Sequence, residues 1–459
     1  MKKITALVLL ISVLLLVCSC GCEPVELLSF IDETAGSVVD CEGKVFNFAT
    51  PSYGEWYLGP DDEGVPTLTM ERMMNRYDEC AKKFNMEFEA SPIDQTTLTQ
   101  LFATGDDIPE MLYISSCYAY DLYKMGILAS LNDVSTIDMN DSKWGDHDYI
   151  SYGKYDGKQF GFIPWNWQFV PQYCGAVIFN GEMIKEYGGT DPYEMKENGL
   201  WNWENWEAEL EKYSGVGVDG IQRWGALLST RFAARGAILS NGGNIVELKD
   251  DGSYEFRMNS PESLAALEFL AKLTSEGLVN DNDLVKDGDM APFTRQNLAP
   301  FFVGESWYGT VLGTDLASST LTHYGYMPFP TGPNGDPEKD AGSYMYMNGL
   351  MLYITSMADI EVENIGSVVD YMFEPLEDTA EEAWKDYLDS TIFSATDHDK
   401  CLENFVFAIE NMKYDYSAQL DDGIYSNVDR TLEGIVSGTK TAAEAAASLE
   451  GILMGAYEG

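Results

Sequence analysis

Cationic side chains are scarce in this chain: 28 Lys and Arg stand against 75 Asp and Glu, a formal net charge of −47. A surface so negative repels phosphate backbones and anionic headgroups, which argues against nucleic acid as a partner. Histidine is rarer still. The three histidines, His147, His323 and His398, lie far apart and none sits in an H-E-x-x-H arrangement, so a hydrolytic zinc site finds no support. The later cysteines Cys41, Cys80, Cys117, Cys174 and Cys401 contain no C-x-x-C pair, which argues against zinc ribbons and thioredoxin-like redox chemistry. Disulfides among them cannot be paired from sequence. No G-x-S-x-G motif appears, and beyond the first residues no apolar run approaches the roughly 20 residues a membrane-spanning helix needs.

What is present describes a folded protein. With 45% hydrophobic and 22% charged residues in 459 positions, the chain supports two or three domains with sizeable cores. At the amino end Lys2 and Lys3 precede the short apolar run Ala6 to Val17, the layout of an export signal. The following Val17-Cys18-Ser19-Cys20 resembles a bacterial lipobox, which implies cleavage before Cys20 and a diacylglycerol anchor on its thiol. Residues 1–19 are then expected to be a signal peptide, 20–41 an anchored spacer, and the remainder an extracytoplasmic body.

Within that body strands and helices alternate. Lys44 to Thr50 reads as a strand, Thr67 to Asn85 as a helix, Glu87 to Ala90 as a strand, Asp94 to Ala103 as a helix, Pro109 to Ile114 as a buried strand and Tyr118 to Met125 as a helix. This spacing implies βαβ units and a mainly parallel sheet. Asp156-Gly157 centres a hairpin, Tyr173 to Asn180 is a second apolar strand, and Asn202 caps a helix carrying Trp203 and Trp206 on one face. Ser260-Pro261 opens an amphipathic helix with Leu264, Leu267, Leu270 and Leu273 near one face and Gly277 closing it. Phe301 to Tyr308 is an apolar and aromatic segment, further strands are expected from Tyr324 onward and at Tyr346 to Thr355, and helices follow at Val362 to Phe373, Glu381 to Leu388, Lys400 to Met412 and Ala442 to Met454.

An ordered set of segments resembles the extracellular solute-binding proteins of ABC importers, family 1, which includes maltose- and oligosaccharide-binding members. The segments are Tyr155-Asp-Gly-Lys-Gln-Phe-Gly-Phe-Ile-Pro164, Gly175 to Asn180, Trp201-Asn-Trp-Glu-Asn-Trp206, Asn241-Gly-Gly243, Asn259 to Leu267, Phe302-Val-Gly304 and Pro328-Phe-Pro-Thr-Gly-Pro333. The resemblance implies an α/β, two-lobed, periplasmic-binding-protein-like (type II) fold with a hinge and an interlobe cleft. It assigns 42–168 plus 328–375 to the first lobe and 172–326 plus 376–459 to the second. It also implies a non-enzymatic function without cofactor: an anchored monomer that captures a carbohydrate, in particular an oligosaccharide, and passes it to a permease and its ATPase.

A sugar presents C–H faces and a rim of hydroxyls, so its site needs aromatic platforms beside carboxylate, amide and hydroxyl groups. The resemblance puts such residues around the cleft at Tyr53, Glu55 and Trp56, at Ser115 and Ser116 after the third strand, at Trp165, Asn166 and Trp167 in the first crossover, and at Trp307 and Tyr308. Trp201, Trp203 and Trp206 suit packing of the second lobe by their helical spacing. Arg231 and Arg235 are scarce cations that either form ordinary salt bridges or clamp a carboxylate. Rival readings are a peptide- or polyamine-binding protein of the same kind, a secreted glycoside hydrolase using two of the many carboxylates, and a surface adhesin.

Overall fold

The computed structural model describes residues 39–50, 68–93, 95–105, 107–144, 150–164, 172–249, 251–281, 291–306, 308, 321, 323–345, 350–376, 388–389 and 397–458. In chain order, β1 (Val45–Thr50), α1 (Leu68–Phe84), β2 (Glu87–Pro92), α2 (Gln95–Thr104), β3 (Met111–Ile114) and α3 (Ser116–Lys124) come first. The hairpin β4 (Lys154–Tyr155) and β5 (Lys158–Gln159) then leads into β6 (Gly161–Phe162). Its turn residues Asp156 and Gly157 both take positive φ, +46° and +74°, as the primed turn of a two-residue hairpin requires.

Next come β7 (Tyr173–Asn180), α4 (Gly181–Glu186), α5 (Pro192–Glu197), α6 (Trp203–Tyr213), the hairpin β8 (Gly215–Val216) and β9 (Gln222–Arg223), β10 (Ala226–Leu228) and α7 (Thr230–Ser240). After them are the hairpin β11 (Val246–Leu248) and β12 (Tyr254–Phe256), α8 (Pro261–Ser275), β13 (Val279–Asp281), α9 (Ala291–Thr294), β14 (Phe301–Glu305), β15 (Tyr324–Met327) and β16 (Tyr344–Met345). The chain finishes with β17 (Met351–Ile354), α10 (Val362–Met372), α11 (His398–Glu410), α12 (Asp422–Val436) and α13 (Ala442–Glu458).

Two sheets result, and they share one plan. The first has the order β2-β1-β3-β17-β6 and the second β13-β10-β14-β7-β15. In the first, β1 runs parallel to β2 and β3 while β17 is antiparallel to both β3 and β6. In the second, β10 runs parallel to β13 and β14 while β7 is antiparallel to β14 and β15. Each five-strand order thus holds four strands running one way and, in fourth place, one reversed strand, and in the second sheet the short β16 also pairs antiparallel with β7. That strand is the one whose chain has just arrived from the other sheet. This is the expected two-lobed, type II arrangement.

Residues 328–345, assigned above to the first lobe, pack on the second. Tyr344 and Met345 pair with Cys174 and Tyr173 of β7, Phe329 packs against Trp206 with ring centroids 5.5 Å apart, and Thr331 N–H donates to the Trp201 carbonyl at 3.3 Å. The return to the first sheet follows β16. Gly175, at φ +91°, makes that pairing possible, because a Cβ there would lie 2.1 Å from the Gly342 carbonyl oxygen.

The helices follow their local signals. Ser260 caps α8 by accepting from Ser263 N–H at 3.2 Å, Pro261 occupies its first turn, and Ala266, Leu267, Leu270 and Leu273 are buried. Asn202 caps α6 by accepting from Asn205 N–H at 3.1 Å, and Trp203 stacks on Phe269 with centroids 4.4 Å apart and planes 3° from parallel. Trp201, Trp203 and Trp206 are all buried, as packing residues should be. All eight residues of β7 are buried too, which is why this strand reads as a continuous apolar run rather than an alternating one. The five cysteines at 41, 80, 117, 174 and 401 are buried.

Candidate functional site

The carboxyl ends of the parallel strands in the two sheets are brought together by the connections between them. The chain leaves β6 at Phe162 and enters β7 at Tyr173, beside the end of β14 at Glu305 and Ser306. It returns from Met345, which pairs with Tyr173, to Met351, which pairs with Ile114 at the end of β3. Six residue steps span at most about 20 Å, so the two carboxyl edges stand within that distance of each other. In open α/β sheets ligands bind at this edge.

A segment of the second lobe is held by both lobes. Residues 413–420 pass between α11 and α12 and include a 3-10 turn over Tyr416–Gln419. On the first-lobe side, Ser116 O–H donates to the Ala418 carbonyl at 2.8 Å, Asp415 N–H donates to the Tyr152 hydroxyl at 2.7 Å, and the Gln419 amide donates to the Tyr152 carbonyl at 2.7 Å. On the second-lobe side, the Asn244 amide donates to the Tyr414 carbonyl at 2.8 Å and Lys413 N–H to the Ser343 carbonyl at 3.0 Å.

Beside this strap lies a buried ionic cluster. Arg235, in the middle of α7 and 1% exposed, donates to Asp415 at 2.8 Å and to Asp429 of α12 at 2.6 Å. Its guanidinium carbon also lies 4.8 Å from the ring centre of Tyr425. Burial by itself would lower the Arg235 pKa, but the surrounding tyrosines and the two carboxylates push it well above its ordinary value, so it stays charged. Arg231, one turn earlier and half exposed, reaches Asp429 at 3.4 Å. Both arginines are therefore salt-bridge partners, the first of the two roles expected for them.

Three of the ten expected ligand-binding residues fall among the described residues, and they occupy facing edges. Ser115 and Ser116 follow β3 at the start of α3. Ser116 is buried with its hydroxyl committed to the strap, and Ser115 Oγ lies 3.0 Å from Cys117 Sγ. Tyr308 follows β14 on the other lobe, half-buried, with its ring edge-on to Phe302 at 5.4 Å. Burial pushes its phenol pKa up, and the neighbouring Glu305 carboxylate adds to that rise. Tyr53, Glu55, Trp56, Trp165, Asn166, Trp167 and Trp307 lie outside the described residues, as does Cys20.

Sequence reasoning missed the strap and the acidic partners of Arg235. Asp415 sits in the run Tyr414-Asp-Tyr-Ser417, whose alternation of aromatic and small polar residues between two helices was the available signal. Among the described residues no group of three His, Cys, Asp or Glu side chains is placed to hold a metal, and no helix is long and apolar enough to cross a membrane.

No protein-family model and no curated relative matches the sequence. Solved structures do match the fold. One is an ABC substrate-binding protein from Listeria monocytogenes in complex with cycloalternan, with 15% identity and a TM-score of 0.60 over 90% of this chain and 98% of that one. Another is the GacH receptor of Streptomyces glaucescens, solved unliganded and with acarbose, with 14% identity and a TM-score of 0.61 over 90% and 99%. A third is an extracellular solute-binding protein family 1 structure from Alicyclobacillus acidocaldarius, with 14% identity and a TM-score of 0.54 over 90% and 98%. The class these likenesses define is one of fold: this chain has the two-lobed fold of the substrate-binding proteins of ABC transporters.

Proposed function

We propose that this chain belongs to the family 1 solute-binding proteins and is the substrate-binding lipoprotein of an ABC importer. It captures an extracellular carbohydrate, specifically an oligosaccharide, in the interlobe cleft and delivers it unaltered to a membrane permease. In this reading Cys20 carries the lipid anchor and the protein works as a monomer outside the cell. The lobes are the two sheets with their covering helices. Tyr53, Glu55, Trp56, Ser115, Trp165, Asn166, Trp167, Trp307 and Tyr308 line the cleft, while Ser116 joins the first lobe to the strap.

The observation that carries the reading is the shared plan of the two sheets, with carboxyl edges held within about 20 Å by the crossing segment between Met345 and Met351. The neighbours in fold include proteins solved with cycloalternan, acarbose and maltotetraose, which supports a saccharide over other cargoes. A binding protein needs only a polar and aromatic cleft that closes, and no catalytic pair has to be invoked.

A thermal-shift panel of mono- and oligosaccharides, peptides and polyamines tests this. A ligand at a hundred times its dissociation constant stabilises the protein by about 2.7 kcal/mol. An oligosaccharide is expected to raise the melting temperature and to be recovered intact. A shift with spermidine or a peptide alone would replace the cargo, and release of new reducing ends would replace the function.

A further inference from the structure

The second lobe contains a cavity of about 550 Å³ that none of the carboxyl-edge residues lines. Its volume lies within the range of small-molecule sites, roughly 300 to 1,000 Å³. One side is the start of α6, where Trp203 stacks on Phe269 of α8. The facing wall is the proline-rich segment 328–341, tied to Trp201 and to the first residue of α6 by three hydrogen bonds. Trp203 N–H donates to the Thr331 carbonyl at 3.1 Å, Thr331 N–H to the Trp201 carbonyl at 3.3 Å, and the Trp201 indole to the Pro328 carbonyl at 2.8 Å. With Pro328, Pro333 and Pro337 in that wall, the cavity is shaped before any ligand arrives.

The charges around the cavity select its occupant. Lys196 already supplies a cation: its ammonium donates to Asn404 at 2.5 Å and lies 4.5 Å from the ring centre of Phe407, so a cationic ligand is opposed. Glu204, Glu207 and Asp340 line the same space and oppose an anion. Glu207 is paired with Lys272 and Asp340 with Lys413, while Glu204 stands exposed. A neutral ligand with an apolar face for the aromatic and proline walls and hydroxyls for Glu204 and Thr331 suits this lining.

From this geometry we infer that the second lobe carries a second saccharide site, separate from the interlobe cleft, that binds a pyranose unit between the Trp203–Phe269 stack and the proline-rich segment. A neighbouring cavity of about 460 Å³ shares Lys196, Pro337 and Phe407 with the first, so a chain of sugar units can extend along the surface from it.

The test uses the full chain with glucose, maltose and maltotetraose as probes, read by saturation-transfer NMR in solution and by electron density in soaked crystals. Sugar density in the cavity is expected, together with a solution binding event weakened about tenfold by Glu204→Arg at the exposed mouth. Trp203→Leu, which removes the aromatic wall stacked on Phe269, is expected to weaken the same event by about threefold. Thermal melts of both variants establish that they fold. An empty cavity with all three sugars, or binding insensitive to both folded variants, overturns the inference. The cleft reading fails separately: an event lost in Tyr308→Ala but retained in Glu204→Arg belongs to the cleft, and its absence counts against the cleft alone.

Discussion

The two lobes are built on the same strand order yet bury charge in different ways. In the first, Lys143 is 2% exposed and bridges Asp370 at 2.7 Å and Glu374 at 2.8 Å, but those carboxylates are 35% and 46% exposed and remain in contact with water. In the second, Arg235 and both its partners are at most 9% exposed. A solvated partner can be rehydrated when its counter-ion is lost, whereas a buried one cannot. The second lobe and its strap therefore depend on one arginine, while the first distributes its polar contacts along a rim.

The largest expected effect tests this contrast directly. Arg235→Met should cost about 3 to 5 kcal/mol of unfolding free energy because Asp415 and Asp429 are left buried without a cation. Lys143→Met should cost about 1 kcal/mol. Urea denaturation of the two variants checks the difference, and equal losses would break the comparison.

A pH effect should follow in the first lobe. Burial raises the Glu110 carboxyl to about 7, against the pull of the Asn47 N–H that donates to it at 2.6 Å. The folded protein therefore holds this proton more tightly than the unfolded chain does. The resulting stability is complete below about pH 4.5 and is lost as the pH rises through 7, by up to about 3 kcal/mol. Glu110→Gln should flatten that part of the stability profile measured between pH 5 and pH 8.5.

A smaller effect belongs to the second lobe. Gly175→Ala forces a side chain against the Gly342 carbonyl at a positive φ and should cost about 2 kcal/mol, read as a lower denaturation midpoint with an unchanged slope.

How far the sequence disclosed this structure varies with burial. Helix α8 was legible because its serine cap, its first-turn proline, its leucine stripe and its closing glycine all agree. Helix α7 was not. Ten of its eleven residues are buried, so Thr230–Ser240 has no polar face to set a period, and it holds a glycine and an arginine within the core. Strands β10 and β13 have three residues each, too few for alternation to register. Helix α12, by contrast, shows Tyr425, Val428, Leu432 and Ile435 on one face after the Asp421 cap, a signal that was present and went unused. At the site, chemistry-bearing residue types were recognisable, but the pairing of Arg235 with residues 180 and 194 positions away is a product of the fold alone. The return from the second lobe was placed too early because the proline-rich segment resembles a crossing, whereas its hydrogen bonds tie it to α6.

The central claim is that two similar lobes close on an intact sugar. Small-angle scattering of the full chain with and without a saturating oligosaccharide, chosen by the thermal-shift panel, tests it most directly. A smaller radius of gyration with sugar bound is the predicted result, and an unchanged one with a sugar that demonstrably binds would contradict it.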